Sequence, residues 1–172
     1  KFTVNLVSMY TRTMTLPKAS FFLFGPRGTG KSTWLRGALP DASAFNLLSS
    51  AEALRYERNP SAFRAEVLAQ PKDRWVVVDE IQRVPALLDE VHFLMEEKGY
   101  AKFALTGSSA RRVKRGAANL LAGRAVVRNF HPLTSRETEF SVPVRQRFEF
   151  GSLPLSINAP DDEAREDFLR AY

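Results

Sequence analysis

The chain has 172 residues, 44% of them hydrophobic and 26% charged, with 25 Lys or Arg against 19 Asp or Glu and a formal net charge of +6. That length supports one domain with a substantial core and leaves no room for two of ordinary size. The absence of cysteine excludes disulfides and thiolate metal sites, and no apolar run approaches the roughly 18 residues that cross a bilayer.

The opening, KFTVNLVSMY, lacks the apolar core and cleavage site of a secretory signal. The expectation is a cytoplasmic protein without a membrane partner, its sequence starting inside the native chain because no initiator Met heads it. Residues 1–19 alternate weakly, as a strand does. Phe21, Phe22, Leu23 and Phe24 are apolar at every position, which predicts a strand covered on both faces. Next comes Gly25-Pro26-Arg27-Gly28-Thr29-Gly30-Lys31-Ser32, a fit to G-x-x-x-x-G-K-[ST], opening a helix that should run to about Leu39 before Pro40 turns the chain.

Such a loop holds a triphosphate with main-chain N–H groups that converge at the positive end of a helix. Glycines at 25, 28 and 30 permit conformations and approaches that a Cβ would block. Lys31 is placed to reach the β- and γ-phosphates, and the Ser32 hydroxyl to ligate Mg²⁺. Residues Gly25 to Ser32, together with Thr33, are the candidate nucleotide-binding set, with Arg12 a further candidate for the base or ribose.

Ala44 to Leu48 reads as a second strand. Ser49 with Glu52 fits a capping box, and Asn59-Pro60 an N-cap followed by proline at the first helical position, with Phe63 and Val67 on one face. Trp75-Val76-Val77-Val78 is another buried strand, ending in Asp79-Glu80. Pro85 opens a helix in which Val84, Leu87, Leu88, Val91, Leu94 and Met95 follow helical spacing up to Gly99. Lys102 to Thr106 is a strand with Gly107-Ser108-Ser109 as its polar tip. A helix over about 115–121 and a strand over 125–130 follow, then a capping box of Thr134 with Glu137. Residues 142–160 read as irregular, and an acidic amphipathic helix starts at Asp161, with Ala164, Phe168 and Leu169 on one face. It stops without a cap, so a continuation is expected.

Strands alternating with helices imply an α/β fold with a mostly parallel sheet, whose ligands bind beyond the carboxyl ends of its strands. Three polar tips should therefore lie side by side. Asp79 is the candidate to support the Mg²⁺ held by Ser32, usually through water. Glu80 is the candidate to hold a water for in-line attack. Ser108 is either a γ-phosphate sensor or a plain helix cap. Arg124 is either an arginine that stabilises transition-state charge, in cis or from a neighbouring subunit, or a structural partner; Arg27 and Arg83 rank below it. His92 and His131 are isolated and read as structural.

From Lys98 to Arg136 there are nine basic residues and no acidic one. That stretch is a solvated face, a contact to nucleotide phosphates, or a contact to nucleic acid. Two alternatives to hydrolysis remain on sequence grounds: a nucleotide-gated nucleic-acid-binding module with little turnover, and a small-molecule kinase. The adjacency of Glu80 to Asp79 favours water as acceptor over the kinase.

Five segments in order carry a resemblance: the phosphate loop, Val76 to Pro85 (VVVDEIQRVP), Leu105 to Ala110 (LTGSSA), Leu120 to Arg124 (LLAGR) and His131 to Glu137 (HPLTSRE). Together they resemble a prokaryotic AAA-type P-loop ATPase family, whose members typically join an ATPase core to a C-terminal domain of unknown function. The likeness covers about residues 12–140, and Gly151 to Pro154 is similar to the family's Gly-Gly-Leu-Pro. It implies a three-layer P-loop NTPase fold and ATP with Mg²⁺ as cofactors. It makes Asp79 and Glu80 the Walker B pair, Ser108 the sensor, Arg124 a finger candidate, and Lys31, Glu80, Ser108 and Arg124 the catalytic set. Residues 1–140 are then the core and 141–172 a linker into a truncated C-terminal region. The expected partners are ATP, the C-terminal domain or a partner protein, and a second copy of the chain.

Overall fold

The computed structural model describes residues 10–100, 102–108, 121 and 123–172, which fall into two compact units, residues 16–130 and residues 10–15 with 131–172. The larger unit is built on β1 (Phe21–Phe24), α1 (Lys31–Ala38), β2 (Ser43–Asn46), α2 (Ser50–Arg58), α3 (Pro60–Leu68) and β3 (Val76–Asp79). After a 3₁₀ turn over Ile81–Arg83 come α4 (Leu87–Lys98), β4 (Phe103–Gly107) and β5 (Val126–Asn129). The helix expected over 115–121 lies outside the described residues, apart from Leu121.

The five strands form one sheet in the order β2-β3-β4-β1-β5, every pair parallel. The expected α/β architecture is present, and the sheet is wholly parallel among the described residues. Strand periodicity sorts its side chains. Phe22, Phe24, Phe45, Val76, Val78, Phe103 and Leu105 join Ala53, Tyr56, Phe63, Val67, Leu88, Val91 and Leu94 in one core on the face covered by α2, α3 and α4. Burying one such large side chain stabilises the fold by about 1.5–3 kcal/mol. Phe45, Tyr56 and Phe63 meet edge to face, with centroids 4.8–6.0 Å apart.

The alternate set faces the other way. Phe21 and Leu23 on β1 are in register with Ala104 and Thr106 on β4, and Ala104 with Val77 on β3. This face therefore carries Asp79 and Thr106 at its carboxyl end. β5, by contrast, is exposed at all four positions, as suits an edge.

Local signals mostly act as expected, with informative departures. The Ser49 hydroxyl caps Glu52 N at 3.4 Å, but the Glu52 carboxylate reaches past Ser49 to Asn46 N at 3.2 Å. The helix expected to open at Pro85 begins only at Leu87, after the 3₁₀ turn over Ile81–Arg83 and a bend and turn over residues 84–86.

In the smaller unit, the stretch read as irregular contains α5 (Val144–Phe150) and α6 (Pro154–Ile157), ahead of α7 (Asp162–Ala171). Pro143 and Pro154 sit at helix starts, where a missing N–H costs nothing. Thr134 and Glu137 do form the reciprocal box, at 2.9 and 3.3 Å. Positive φ at Glu139 and Phe140 then stops a helix from following.

Glu137 is the hub of this unit. Its Oε1 accepts from Arg12 Nε at 3.1 Å, Thr13 N at 2.9 Å and Thr13 Oγ1 at 3.2 Å, while Oε2 accepts from Thr134 N and Oγ1. Burial alone would raise the carboxyl pKa, but the Thr134 and Thr13 N–H groups and the Arg12 charge outweigh it and the value is lowered. A depressed folded-state value means the stabilisation is fully present above the unfolded value, near 4.3, and is lost as pH falls through the folded one. Glu137→Ala should cost about 3 kcal/mol at pH 7, since it takes the facing carboxylate away from a buried guanidinium. Urea denaturation should show the gap to the parent closing as pH is lowered from about 5 to 3. A pH-independent gap would mean that packing, not charge, holds this hub.

Candidate functional site

The carboxyl ends of β3, β4 and β1 are neighbours in the sheet, so the three polar tips expected from the sequence do meet. Strand order reverses at β1, which has β4 on one side and β5 on the other. A crevice opens at such a point in α/β sheets. Gly25 extends the ladder by donating to Gly107 O at 3.2 Å, and the loop then turns into α1.

Gly30 stands at the N-cap with φ 91° and supplies no side-chain cap. The first-turn N–H groups of α1 have no acceptor within the helix. Gly28 is also left-handed, at φ 71°. Thr29 is fully buried and its hydroxyl donates to Pro26 O at 2.9 Å, tying the loop to itself. Pro26, Arg27 and Gly28 are exposed. Thr33, in the first turn, accepts from Arg36 at 3.5 Å.

Lys31 is only 5% exposed, and its ammonium donates to Gly25 O at 2.7 Å and Pro26 O at 2.9 Å. Burial pushes its pKa down; the Glu80 and Asp79 charges pull it up, and Arg27 adds to the lowering. The cation is thus held among loop carbonyls and faces two carboxylates.

Ser32 and Asp79, 47 positions apart, meet directly: the Ser32 hydroxyl donates to Asp79 Oδ2 at 2.6 Å. Thr106 Oγ1 donates to Asp79 Oδ1 and accepts from Glu80 N at 3.0 Å. This threonine is completely buried, and sequence reasoning missed it. Its signal was a lone hydroxyl at the end of an apolar strand. Glu80 is 7% exposed and left-handed, φ 61° and ψ 48°, which costs a non-glycine residue about 1–2 kcal/mol. That twist ends β3. Gln82, also missed, donates from Nε2 to Glu80 Oε2 and to Ser108 Oγ, the latter at 3.2 Å. Ser109 lies outside the described residues.

Arg124 is not brought to this cluster. It stands two residues before Val126, which pairs with Phe21 at the amino end of β1, whereas the phosphate loop leaves the carboxyl end. Its guanidinium is paired with Glu96 near the end of α4. Arg83 donates to Leu48 O at 3.1 Å. Arg12 is held in the smaller unit by Glu137 and by His131 O. Within the basic stretch, Lys98 lies over the Phe93 ring at 5.7 Å and Arg128 donates to Val127 O at 3.2 Å; positions 111, 112, 114 and 115 lie outside the described residues. Among the described residues there is no group of three or more His, Cys, Asp or Glu that could hold a metal, and no helix is long and apolar enough to cross a membrane.

The family described as "AAA domain" matches residues 18–139. No curated protein sequence matches the chain. Among solved structures, the chain is similar to the Walker-type ATPase of Pyrococcus abyssi, 15% identical over 86% of this chain and 65% of that one, with a TM-score of 0.51. It is also similar to a Pyrococcus horikoshii signal-transduction ATPase with numerous domains and a tetratricopeptide-repeat sensor: 13% identity, 90% of this chain, 30% of that one, TM-score 0.50. AMPPCP-bound DnaA from Aquifex aeolicus aligns at 14% identity over 88% of this chain and 54% of that one, with a TM-score of 0.48. Such identities speak to fold alone, and the chain spans less than two thirds of the length of each of these structures.

Proposed function

This chain belongs to the AAA domain family, and on that premise we propose that it is an Mg²⁺-dependent ATPase whose nucleotide state drives or gates a C-terminal domain or partner protein. One observation carries the reading: the Ser32 hydroxyl and the Asp79 carboxylate touch at 2.6 Å at the first turn of α1, beside the buried Lys31.

The donor set suits the ion. Ser32 and Asp79 are hard oxygen ligands, and among the described residues too few protein carboxylates gather there to form a closed cage. Mg²⁺ takes such sites, completing its shell with water and substrate phosphate. When bound, it would neutralise charge developing on the phosphates. The rest falls to the chain. Main-chain N–H groups of Gly28 to Thr33 cradle the phosphates, and Lys31 exchanges its loop carbonyls for phosphate oxygens. Glu80 orients water, Ser108 senses the γ-phosphate, and Thr106 keeps Asp79 and Glu80 in fixed relation.

Arg124 enters this reading only as an arginine offered to a second copy of the chain. Its pairing with Glu96 is exposed, and pairs of that kind give way at little cost.

Calorimetric titration with a non-hydrolysable ATP analogue tests the proposal. The parent should bind it, and removing Mg²⁺ should weaken binding. Asp79→Asn should flatten that Mg²⁺ dependence while leaving metal-free binding intact. A parent that ignores the analogue would end the proposal.

A further inference from the structure

Gln82 occupies the 3₁₀ turn that follows Glu80, and both of its amide hydrogens are engaged. One goes to Glu80 Oε2 and the other to Ser108 Oγ at 3.2 Å. The orientation is set by chemistry, because turning the amide over would place its oxygen against the Glu80 carboxylate. The remaining atom, Oε1, is buried with no hydrogen-bond partner among the described residues. It lies against Gly107, the last residue of β4, where an added Cβ would come within 2.7 Å of it and 3.2 Å of the Phe24 ring. The amide is thus slotted against bare backbone, with its acceptor unsatisfied so that its donors can bridge two tips of the sheet.

We infer that Gln82 is a positioning residue for hydrolysis, holding the Glu80 carboxylate and the Ser108 hydroxyl at one spacing. This rests on the assignment of Glu80 as the residue that orients water. Glu80 needs such a restraint on both sides. Its main chain is fixed through Thr106 Oγ1 at 3.0 Å, but its side chain has several further rotatable bonds. A neutral amide restrains them without weakening the carboxylate as a base, as the positive charge of a Lys or Arg would. It also links Glu80 to Ser108, which lies on a different strand end. A change in the serine's position is then transmitted to the carboxylate through a single nitrogen.

The test uses Gln82→Met, close in shape and without donors, and Gly107→Ala, which keeps the amide but crowds it out of its slot. Steady-state ATP turnover with Mg²⁺, binding of a non-hydrolysable analogue and thermal midpoint are measured for each. In Gln82→Met, kcat should fall about 10- to 100-fold with KM and analogue affinity unchanged, as expected when a reacting group is misplaced by an ångström or so. Gly107→Ala should follow it in kcat. In a Glu80→Gln background, Gln82→Met should cost nothing further, since a residue acting through Glu80 has no effect once that carboxylate is gone.

A kcat that is unchanged or raised in both Gln82→Met and Gly107→Ala overturns the inference, as does a Gln82→Met loss that persists in full without Glu80. Should Gln82→Met lose its fold, Gly107→Ala decides by the same readouts. A parent with no turnover, or a Glu80→Gln variant as active as the parent, overturns the functional reading and the inference with it. Turnover that depends on Glu80 and is indifferent to Gln82 overturns the inference alone.

Discussion

Glu80→Gln is expected to bind nucleotide as the parent does and to lose about 100-fold or more in turnover, the range seen when a positioned general base is removed. The substitution preserves shape. The left-handed backbone at residue 80 is unchanged, Thr106 Oγ1 still receives the main-chain N–H, and an amide oxygen can still accept from Gln82. What disappears is the basicity that pulls on a water proton. Lys31, Ser32 and Asp79 hold the phosphates and the ion in this reading, so affinity should survive. Parallel measurement of analogue binding and phosphate release separates the two. Unchanged release would remove Glu80 from the chemistry; lost binding would make it part of the cradle.

The second large effect is structural and falls on Gly25. A Cβ there would sit 2.1 Å from Phe130 O and 3.0 Å from its carbonyl carbon. Both are main-chain atoms, so no rotamer change relieves the clash. Phe130 cannot easily withdraw, because its N–H donates to Phe24 O at 2.6 Å and its ring meets Trp34 at 5.6 Å. Gly25→Ala must therefore pry β5 from β1 or push the phosphate loop out of line. A cost of about 3 kcal/mol or more is expected from such overpacking, which lowers the melting midpoint by roughly 6–12 °C for a chain of this size. Nucleotide affinity should fall in step, since the loop begins at this residue. Scanning calorimetry with and without the analogue checks both, and a midpoint within a degree of the parent would show that the close approach is not rigid.

Much of this was readable in advance because the signals are local. A run of four apolar residues, a glycine-spaced loop and Lys31-Ser32 announce strand, turn and helix within one short window, and the loop's geometry depends on little beyond it. The strand ending Val76-Val77-Val78-Asp79 was legible for the same reason. Thr106 and Gln82 were not. Their roles depend on which strand lies beside which, and nothing near them in the chain says that β4 separates β3 from β1. Arg124 shows the converse. The LLAGR segment marks it by likeness, and only the parallel pairing of Val126 with Phe21 shows that it stands at the amino end of the strands, away from the phosphate loop of its own chain. Residues 142–160 looked irregular because proline reads as a breaker until its place at a helix start is known.

Sequence by itself determined the phosphate loop, the alternation of buried strands with amphipathic helices, and the acidic pair at the end of β3. These follow from side-chain chemistry at short spacing, where period and turn residues leave few alternatives. Tertiary structure alone decided that one threonine serves both carboxylate residues and that the Gln82 amide bridges Glu80 to Ser108. The reason is register: contacts between strands far apart in the chain are set by how the whole sheet pairs, and a shift of one residue would turn each of those side chains to the other face.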